Sequence, residues 1–257
     1  MDRLSPDVVK RGLATEFMGQ EIVYYRSIGS TNDVAKDLAK QGAPQGTLVI
    51  AEEQTAGKGR RGRSWHAPQG SSLLMSLILY PRLTASQAPR LTMTSSLAVA
   101  YAIEETSGIS VHFKWPNDIM LRQKKAGGIL TEIGISGEIL DYAVVGIGLN
   151  VNLDVRQIPE LADVATSLSM QLGREVSRLG LLRAVLKFME REYLLLQQGE
   201  SPSEKWAARL SLLGQRIQVT TPWGQEAGRA DGVDTDGALV LCRDDGTKAH
   251  ITVGDIE

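Results

Sequence analysis

The 257-residue sequence has little of what builds covalent or metal-bound frameworks, since it contains one cysteine and three histidines. The single Cys242 excludes an intramolecular disulfide and a cysteine-cluster zinc site, and we expect it to be a reduced core residue. The sequence also lacks any apolar run near the roughly 20 residues that span a bilayer. Residues 1–12 lack the apolar segment of a signal peptide. These absences predict a cytoplasmic protein without a membrane anchor.

An excess of basic residues is also absent. The chain carries 28 Lys and Arg against 30 Asp and Glu, a net charge of −2, which argues against a general nucleic-acid-binding surface. The charge is unevenly distributed, because residues 57–63 read Gly-Lys-Gly-Arg-Arg-Gly-Arg. Without those four cations, 24 basic side chains remain against 30 acidic ones. An acidic body with one cationic, glycine-rich loop is therefore the feature to explain.

Hydrophobic periodicity predicts an α+β domain over residues 1–210 and a small β-rich domain over residues 211–257. Strands of the first domain are expected at 21–25, 46–51, 72–80, 111–114, 119–122, 129–136 and 140–149. Its helices are expected at 6–12, 34–42, 87–106, 165–199 and 201–210. The second domain has short alternating segments separated by Pro-Trp-Gly and Asp-Gly turns, which predict a small barrel or sandwich.

Glycines at positions 57, 59 and 62 reproduce the spacing of a dinucleotide-binding fingerprint. That fingerprint needs a strand running directly into it and a helix opening from it, whereas residues 64–68 (Ser-Trp-His-Ala-Pro) cannot open a helix. A phosphate-binding P-loop fails for the same reason, and Arg63 stands where its lysine belongs. An RNA-binding arm would normally come with a basic surface and exposed aromatic residues. A plain solvated loop is also a poor explanation, because four like charges beside three glycines repel one another.

We favour instead a loop that is ordered by an anion. Glycines let the backbone approach a ligand closely, and guanidinium groups bind carboxylate or phosphate oxygens in a bidentate manner. Trp65 offers a flat ring against which a base could stack.

Four further polar segments could complete such a site. They are Ser30-Thr31-Asn32, Lys114-Trp115-Pro116-Asn117-Asp118, Lys124-Lys125-Ala126-Gly127-Gly128-Ile129-Leu130 and Gly146-Ile147-Gly148-Leu149-Asn150-Val151-Asn152. Taken singly, they also fit a helix cap, a β-turn, two exposed lysines and the end of a strand.

In this order, the segments resemble those of the bacterial biotin protein ligases. The matching pieces are Ser30-Thr31-Asn32-Asp33, residues 54–65 (Gln-Thr-Ala-Gly-Lys-Gly-Arg-Arg-Gly-Arg-Ser-Trp), residues 114–118, residues 125–130 and residues 146–150. Five ordered segments make the resemblance specific. Lipoate ligases and lipoyl transferases share the catalytic fold but lack the Gly-Lys-Gly-Arg-Arg-Gly-Arg stretch. A non-enzymatic regulator or RNA-binding module is the alternative from a different class.

The resemblance implies a mixed β-sheet flanked by helices, as in class II synthetases, followed by an SH3-like C-terminal β-barrel. It implies an enzyme that uses ATP and biotin to form biotinyl-5′-AMP, with Mg²⁺, and transfers biotin to a lysine of a biotin carboxyl carrier protein domain. About 29 residues precede Ser30, too few for the winged helix-turn-helix of some relatives, so no DNA binding is expected. Dimers are common among relatives, which makes a homodimer a further expectation.

Residue roles also follow from the resemblance. The side chains expected to act in catalysis are Lys125, Arg60 and Asp118. Those expected around biotin are Ser30, Thr31, Asn32, Gln54, Lys58, Gly59, Arg60 and Lys125. Those expected around the nucleotide are Arg61, Arg63, Trp65, Lys114, Asn117 and Asn150. The resemblance does not specify ligands for Mg²⁺.

Overall fold

A seven-stranded mixed sheet forms the centre of the larger part of the chain, in a computed structural model that describes residues 4–256. Its strands are β1 (Ile22–Tyr25), β2 (Leu48–Ala51), β3 (Ser72–Leu79), β4 (Val111–Lys114), β5 (Asp118–Leu121), β6 (Lys124–Ser136) and β7 (Ile139–Asn150). The spatial order is β1-β2-β3-β7-β6-β5-β4, and only the β1–β2 pair is parallel. The mixed sheet expected from the sequence is confirmed.

Helices cover both faces of this sheet. They are α1 (Pro6–Lys10), α2 (Thr31–Lys40), α3 (Pro89–Ser107), α4 (Leu168–Leu172), α5 (Arg178–Gln197) and α6 (Ser203–Ala207). Helix α2 packs against β2, β3 and β7, while α3 packs against α5 and β6. Every residue of β3 is consequently buried, which explains its nearly continuous apolar sequence.

Two regions differ in detail from the prediction. Residues 165–199, expected to be largely helical, form two helices, because Gly173 ends α4 in the left-handed region (φ +69°) and Ser177 caps α5. Strand β6 begins at Lys124 rather than at residue 129. Its glycine-containing start pairs with β5 and β7, so Lys125 lies on a strand and not in a loop.

The C-terminal residues form a second, antiparallel sheet of five short strands. They are β8 (Arg216–Thr221), β9 (Gly224–Val233), β10 (Leu239–Cys242), β11 (Lys248–Ile251) and β12 (Asp255–Ile256). The small antiparallel β-domain expected from the sequence is therefore present, but the order β11-β10-β9-β8-β12 leaves β11 and β12 at opposite edges, so a barrel is not closed. Cys242 is free and half-buried rather than enclosed in the core. Within residues 4–256, no helix has the length and apolarity needed to cross a membrane.

Candidate active site

A cleft opens over β3, β6 and β7, between the cationic loop and the C-terminal sheet. Thirteen of the residues singled out in the sequence line it: Ser30, Thr31, Asn32, Gln54, Lys58, Gly59, Arg60, Arg63, Trp65, Lys114, Asn117, Asp118 and Lys125. Arg61 and Asn150 do not line this cleft. The C-terminal sheet adds Asp255 and Ile256, which the sequence reasoning did not single out.

The floor of the cleft is a buried network of polar side chains at the start of α2. The backbone N–H and the hydroxyl of Thr31 donate to Gln54 Oε1 at 2.7 and 3.0 Å. The Ser76 hydroxyl lies 2.6 Å from Asn32 Oδ1 and 2.8 Å from Thr31 Oγ1. Ser30 stands at the N-cap position of α2, but its side chain makes no capping hydrogen bond, so helix capping does not account for it. These hydrogen bonds hold the polar side chains of the floor in place.

Asn32 connects this floor to β6 and β7. Its Nδ2 donates to Glu132 Oε2 at 2.7 Å and to the Leu130 carbonyl at 3.3 Å. A Cβ added to Gly146 would lie 2.2 Å from Asn32 Oδ1, so only glycine fits there. Sequence reasoning missed Ser76 and Glu132. The one available signal for Ser76 was a lone interior hydroxyl in an otherwise apolar strand.

Lys125 lies between a carboxylate and an aromatic ring. Its Nζ is 2.6 Å from Asp118 Oδ1 and 5.8 Å from the centroid of Trp65. The indole packs over Gly148, where an added Cβ would be 2.8 Å from Trp65 Cε2. The Trp65 Nε1 is buried and has no hydrogen-bond partner among the described residues. Lys125 and Trp65 both line the cleft, and Trp65 Nε1 is a buried donor whose hydrogen-bonding capacity the described residues leave unused.

The segment between β4 and β5 supplies both structural and cleft-facing groups. Asn117 Nδ2 donates to the Ile129 carbonyl at 2.7 Å, and the Ile129 N–H donates back to the Asn117 carbonyl at 3.0 Å. Trp115 Nε1 donates to the Gly237 carbonyl at 3.0 Å, which ties this segment to the C-terminal sheet. Asn117 thus positions β6, whereas Lys114 and Asp118 present charge to the cleft.

Asn150 ends β7 in a buried position. Its Nδ2 donates to the Thr166 carbonyl at 3.1 Å, and its Oδ1 has no partner among the described residues. The structure therefore places Asn150 behind the cleft, where it supports the backbone that pairs with Lys125.

The cationic loop is a hairpin with a tight tip. The Trp65 N–H donates to the Gly57 carbonyl at 2.9 Å, and the Gly59 N–H donates to the Arg63 carbonyl at 2.7 Å. At the tip, Arg61 adopts the left-handed region (φ +54°), which is uncommon for a residue with a side chain. No helix opens between residues 63 and 70, so the dinucleotide and P-loop alternatives are excluded.

Carboxylates of the protein face each cation of the loop. Lys58 Nζ lies 2.6 Å from Asp33 Oδ2, and this hydrogen bond lowers the pKa of Asp33. Arg61 and Arg63 contact Asp255 Oδ2 at 2.9 and 3.0 Å, whereas Arg60 is 3.8 Å from Asp255 Oδ1. Burial lowers the pKa of Arg60, and the charge of Asp255 partly opposes the effect. Arg60 is consequently the loop arginine with the least complete ion pairing.

In residues 4–256, no three His, Cys, Asp or Glu side chains lie close enough together to bind a metal ion. These residues therefore contain no site that would bind Mg²⁺ through such side chains alone. Mg²⁺ that enters with a nucleotide commonly needs only one or two carboxylates besides phosphate oxygens and water. Asp118 provides a carboxylate inside the cleft, so the residues fit a metal held mainly by the nucleotide.

Comparisons with known proteins agree with this geometry. Residues 24–150 match the Biotin/lipoate A/B protein ligase family, and residues 212–257 match the Biotin protein ligase C terminal domain. The chain therefore belongs to the biotin protein ligase family.

Two relatives and one solved structure show this similarity in more detail. The chain is 39% identical to a bifunctional ligase/repressor of Bacillus subtilis, over 99% of this chain and 79% of the relative. It is 34% identical to a biotin–[acetyl-CoA-carboxylase] ligase of Paracoccus denitrificans, over 82% of this chain and 90% of the relative. A biotin protein ligase from Aquifex aeolicus, solved with biotin and ATP, superposes with a TM-score of 0.76 at 28% identity. That superposition covers 93% of this chain and 98% of the Aquifex chain.

Proposed function

We propose that this protein activates biotin with ATP and transfers the biotinyl group to a lysine of a biotin carboxyl carrier protein. The observation that carries the proposal is Lys125, which lines the cleft with its ammonium group 2.6 Å from Asp118 and 5.8 Å from the centroid of Trp65. The polar groups of the floor and the cationic loop line the same cleft.

In the first step, a carboxylate oxygen of biotin attacks the α-phosphorus of ATP. A new P–O bond forms to the carboxylate, the bond to the bridging oxygen breaks, and diphosphate leaves. The reactants are both anions, so their approach is unfavourable in water. Lys125 and Arg60 offset this repulsion and stabilise the charge that develops in the transition state. Asp118 keeps the Lys125 ammonium oriented towards the reacting groups.

The floor suits the polar ring of biotin, and the outer cleft suits the nucleotide. Ser30, Thr31 and Asn32 present buried hydroxyl, amide and backbone groups, and half-buried Gln54 adds an amide, so that together they fix the orientation of a small polar head. Trp65 provides the stacking surface for adenine, and Lys114 faces the phosphates, while Arg63, which pairs with Asp255, serves loop ordering or phosphate contact. Assignment of Arg61 and Asn150 to the nucleotide stays a prediction from the sequence.

In the second step, the neutral amine of the carrier lysine attacks the acyl carbon of the adenylate. An amide bond forms, the mixed anhydride bond breaks, the amine nitrogen releases one proton to the solvent, and AMP leaves with its phosphate charge balanced by the cations of the cleft. A closed loop excludes water, which would otherwise hydrolyse the anhydride. Mg²⁺ bound with the nucleotide would neutralise phosphate charge, and Asp118 is a cleft carboxylate that could help to hold it.

The protein partner is proposed by its chemistry: a carrier domain that presents one exposed lysine, such as that of acetyl-CoA carboxylase. The division at residues 210 and 211, the homodimer, the absence of DNA binding and the cytoplasmic location stay predictions from the sequence.

Exchange of labelled diphosphate into ATP tests the activation step, with biotin, lipoate or octanoate as the acid. We expect exchange that depends on biotin. Exchange with lipoate but not biotin would instead identify a lipoate ligase. Exchange with none of the acids would overturn the enzyme class.

A further inference from the structure

Asp255 is the one acidic side chain of the C-terminal sheet that lines the cleft among the described residues. It lies in β12, an edge strand of two residues, and it was not among the residues that the sequence reasoning selected. Its Oδ2 accepts hydrogen bonds from Arg61 Nη1 at 2.9 Å and from Arg63 Nη2 at 3.0 Å. These contacts join parts of the chain that are more than 190 residues apart in sequence.

The position of this carboxylate is fixed by its own strand. Asp255 pairs with Thr220 of β8. At the preceding Gly254, an added Cβ would lie 2.6 Å from Val219 Cγ1, so the backbone packs closely against β8. The Asp255 side chain is 22% exposed, whereas the Arg63 side chain is 69% exposed. Strand pairing therefore holds Asp255 in place on the C-terminal sheet, whereas the more exposed Arg63 of the loop has room to move.

The loop needs such an anchor for two reasons. Its three arginines occupy four consecutive positions and repel one another, and Arg61 adopts a backbone conformation that is unfavourable for a side-chain-bearing residue. One carboxylate that binds both Arg61 and Arg63 offsets the repulsion between the arginines and the unfavourable backbone conformation of Arg61. Asp255 thus supplies from within the protein the anion that the sequence pattern requires.

Asp255 does not contact the three loop arginines equally, and the difference suits the proposed reaction. Arg60 lines the cleft and is 3.8 Å from Asp255 Oδ1, with its guanidinium 3.5 Å from the Gly254 carbonyl. Arg61, which Asp255 binds directly, does not line the cleft. Asp255 can therefore fasten the loop without taking Arg60 away from a ligand.

The geometry points to Asp255 as a positioning residue that fastens the cationic loop to the C-terminal sheet, so that the loop stays closed over the biotinyl-adenylate. This inference rests on the proposed ligase function, because that function supplies the adenylate. It gives the C-terminal sheet a defined part in retaining the intermediate, through one carboxylate.

The test compares Asp255→Asn with Asp231→Asn. Asp231 belongs to the same C-terminal sheet and pairs with Lys248 at 2.9 Å and Arg229 at 3.3 Å, away from the cleft. Each protein is charged with labelled biotin, ATP and pyrophosphatase, and the release of labelled adenylate is followed after a chase with unlabelled biotin. Asp255→Asn should release adenylate about fivefold faster, since partly exposed ion pairs contribute modestly and 1.4 kcal/mol corresponds to tenfold. Asp231→Asn and Asp255→Glu should stay within about twofold of the parent protein.

Trypsin provides a readout that needs no substrate, because it cleaves after Lys and Arg and the loop holds four such sites. Asp255→Asn should accelerate cleavage at 58–63 by a similar factor, with no acceleration elsewhere. Equal release and equal cleavage in the two asparagine variants would overturn the inference, as would acceleration at all sites, which would indicate unfolding of the sheet. If the parent protein forms no adenylate, the proposed ligase function fails, whereas the cleavage comparison still tests the anchor by itself.

Discussion

The floor of the cleft and the loop that covers it both carry polar side chains, but they are held in place by different forces. Ser76, Thr31 and Asn32 are no more than 4% exposed and bond to one another among apolar strands. The Lys58–Asp33 pair of the loop is almost half exposed, at 47% and 44%. A buried polar group left without its partner costs about 1–3 kcal/mol, whereas an exposed ion pair contributes about 0.2–1 kcal/mol.

This difference shows how one site can be both rigid and accessible. The floor must keep its shape to orient the acid, and its buried hydrogen bonds cannot exchange with water. The loop must open for substrates and close over the intermediate, and weak ion pairs permit both at small cost. The following variants separate the two regions, in order of decreasing effect.

The largest loss of stability is expected at the two ends of the cationic loop, Glu52 and Ser72, where the loop joins the buried strands. Arg178 Nη1 donates to Glu52 Oε2 at 2.7 Å and to the Ser72 carbonyl at 3.2 Å, and thus joins the two ends of the loop. Both partners of the ion pair are under 10% exposed. Arg178→Met should lower the free energy of unfolding by about 3–5 kcal/mol, because it leaves a buried carboxylate without its cation. Urea denaturation measures this loss.

A double variant provides the control for that prediction. Adding Glu52→Gln to Arg178→Met removes the uncompensated charge and should recover much of the lost stability. No recovery would mean that packing, rather than charge, holds the two ends of the loop.

Lys125→Ala tests the centre of the cleft. Loss of one preorganised cation should slow biotin-dependent diphosphate exchange by about 100- to 1000-fold, with little change in thermal stability. The neighbouring Lys124 donates to the Ala162 carbonyl at 3.1 Å, so Lys124→Ala is a matched control and should keep exchange near that of the parent protein. Near-normal exchange in Lys125→Ala would contradict its assigned role.

Gly146→Ala tests the rigidity of the floor. The added methyl group would overlap Asn32 Oδ1, and a rigid neighbourhood should make this cost about 1–3 kcal/mol. Biotin affinity, measured by calorimetry, should fall by about tenfold or more. At Gly232 of β9 an added Cβ meets no atom within 4 Å, so Gly232→Ala should leave biotin affinity unchanged. Unaltered biotin affinity in Gly146→Ala would mean that the floor is as adaptable as the loop and not rigid.

Asp33→Asn should have the smallest effect, because it removes a partly exposed carboxylate that pairs with Lys58 at 2.6 Å and with Lys36 at 3.0 Å. The rate of adenylate release should rise by no more than about fivefold, and about 1 M salt should abolish the difference from the parent protein.

The pH dependence of this contact has a definite sign. The hydrogen bond from Lys58 lowers the pKa of Asp33 below the ordinary value of 3.8 for an aspartate. The pair therefore stabilises the closed loop fully above that value and is lost as the pH falls through the lowered pKa. Release should thus be independent of Asp33 titration between pH 6 and 8. A step in that range that disappears in Asp33→Asn would contradict the assignment.

Sequence patterns predicted most of the fold and of the cleft because the motifs follow strand and helix ends, which meet at one place in a sheet. They could not identify Ser76 or Glu132, because a lone polar residue in a strand has no spacing signal. Asp255 was equally hidden, since its contacts depend on how two sheets pack. The early start of β6 was missed because Lys-Lys-Ala-Gly-Gly resembles a loop until β5 and β7 pair with it.

The most direct measurement is to isolate the protein after incubation with biotin, ATP and pyrophosphatase, and then to add a carrier domain. The cleft described here predicts about one equivalent of biotinyl-adenylate bound to each chain, and transfer of biotin to one carrier lysine without further ATP. Recovery of the protein without adenylate, or an adenylate that the carrier cannot discharge, would contradict it.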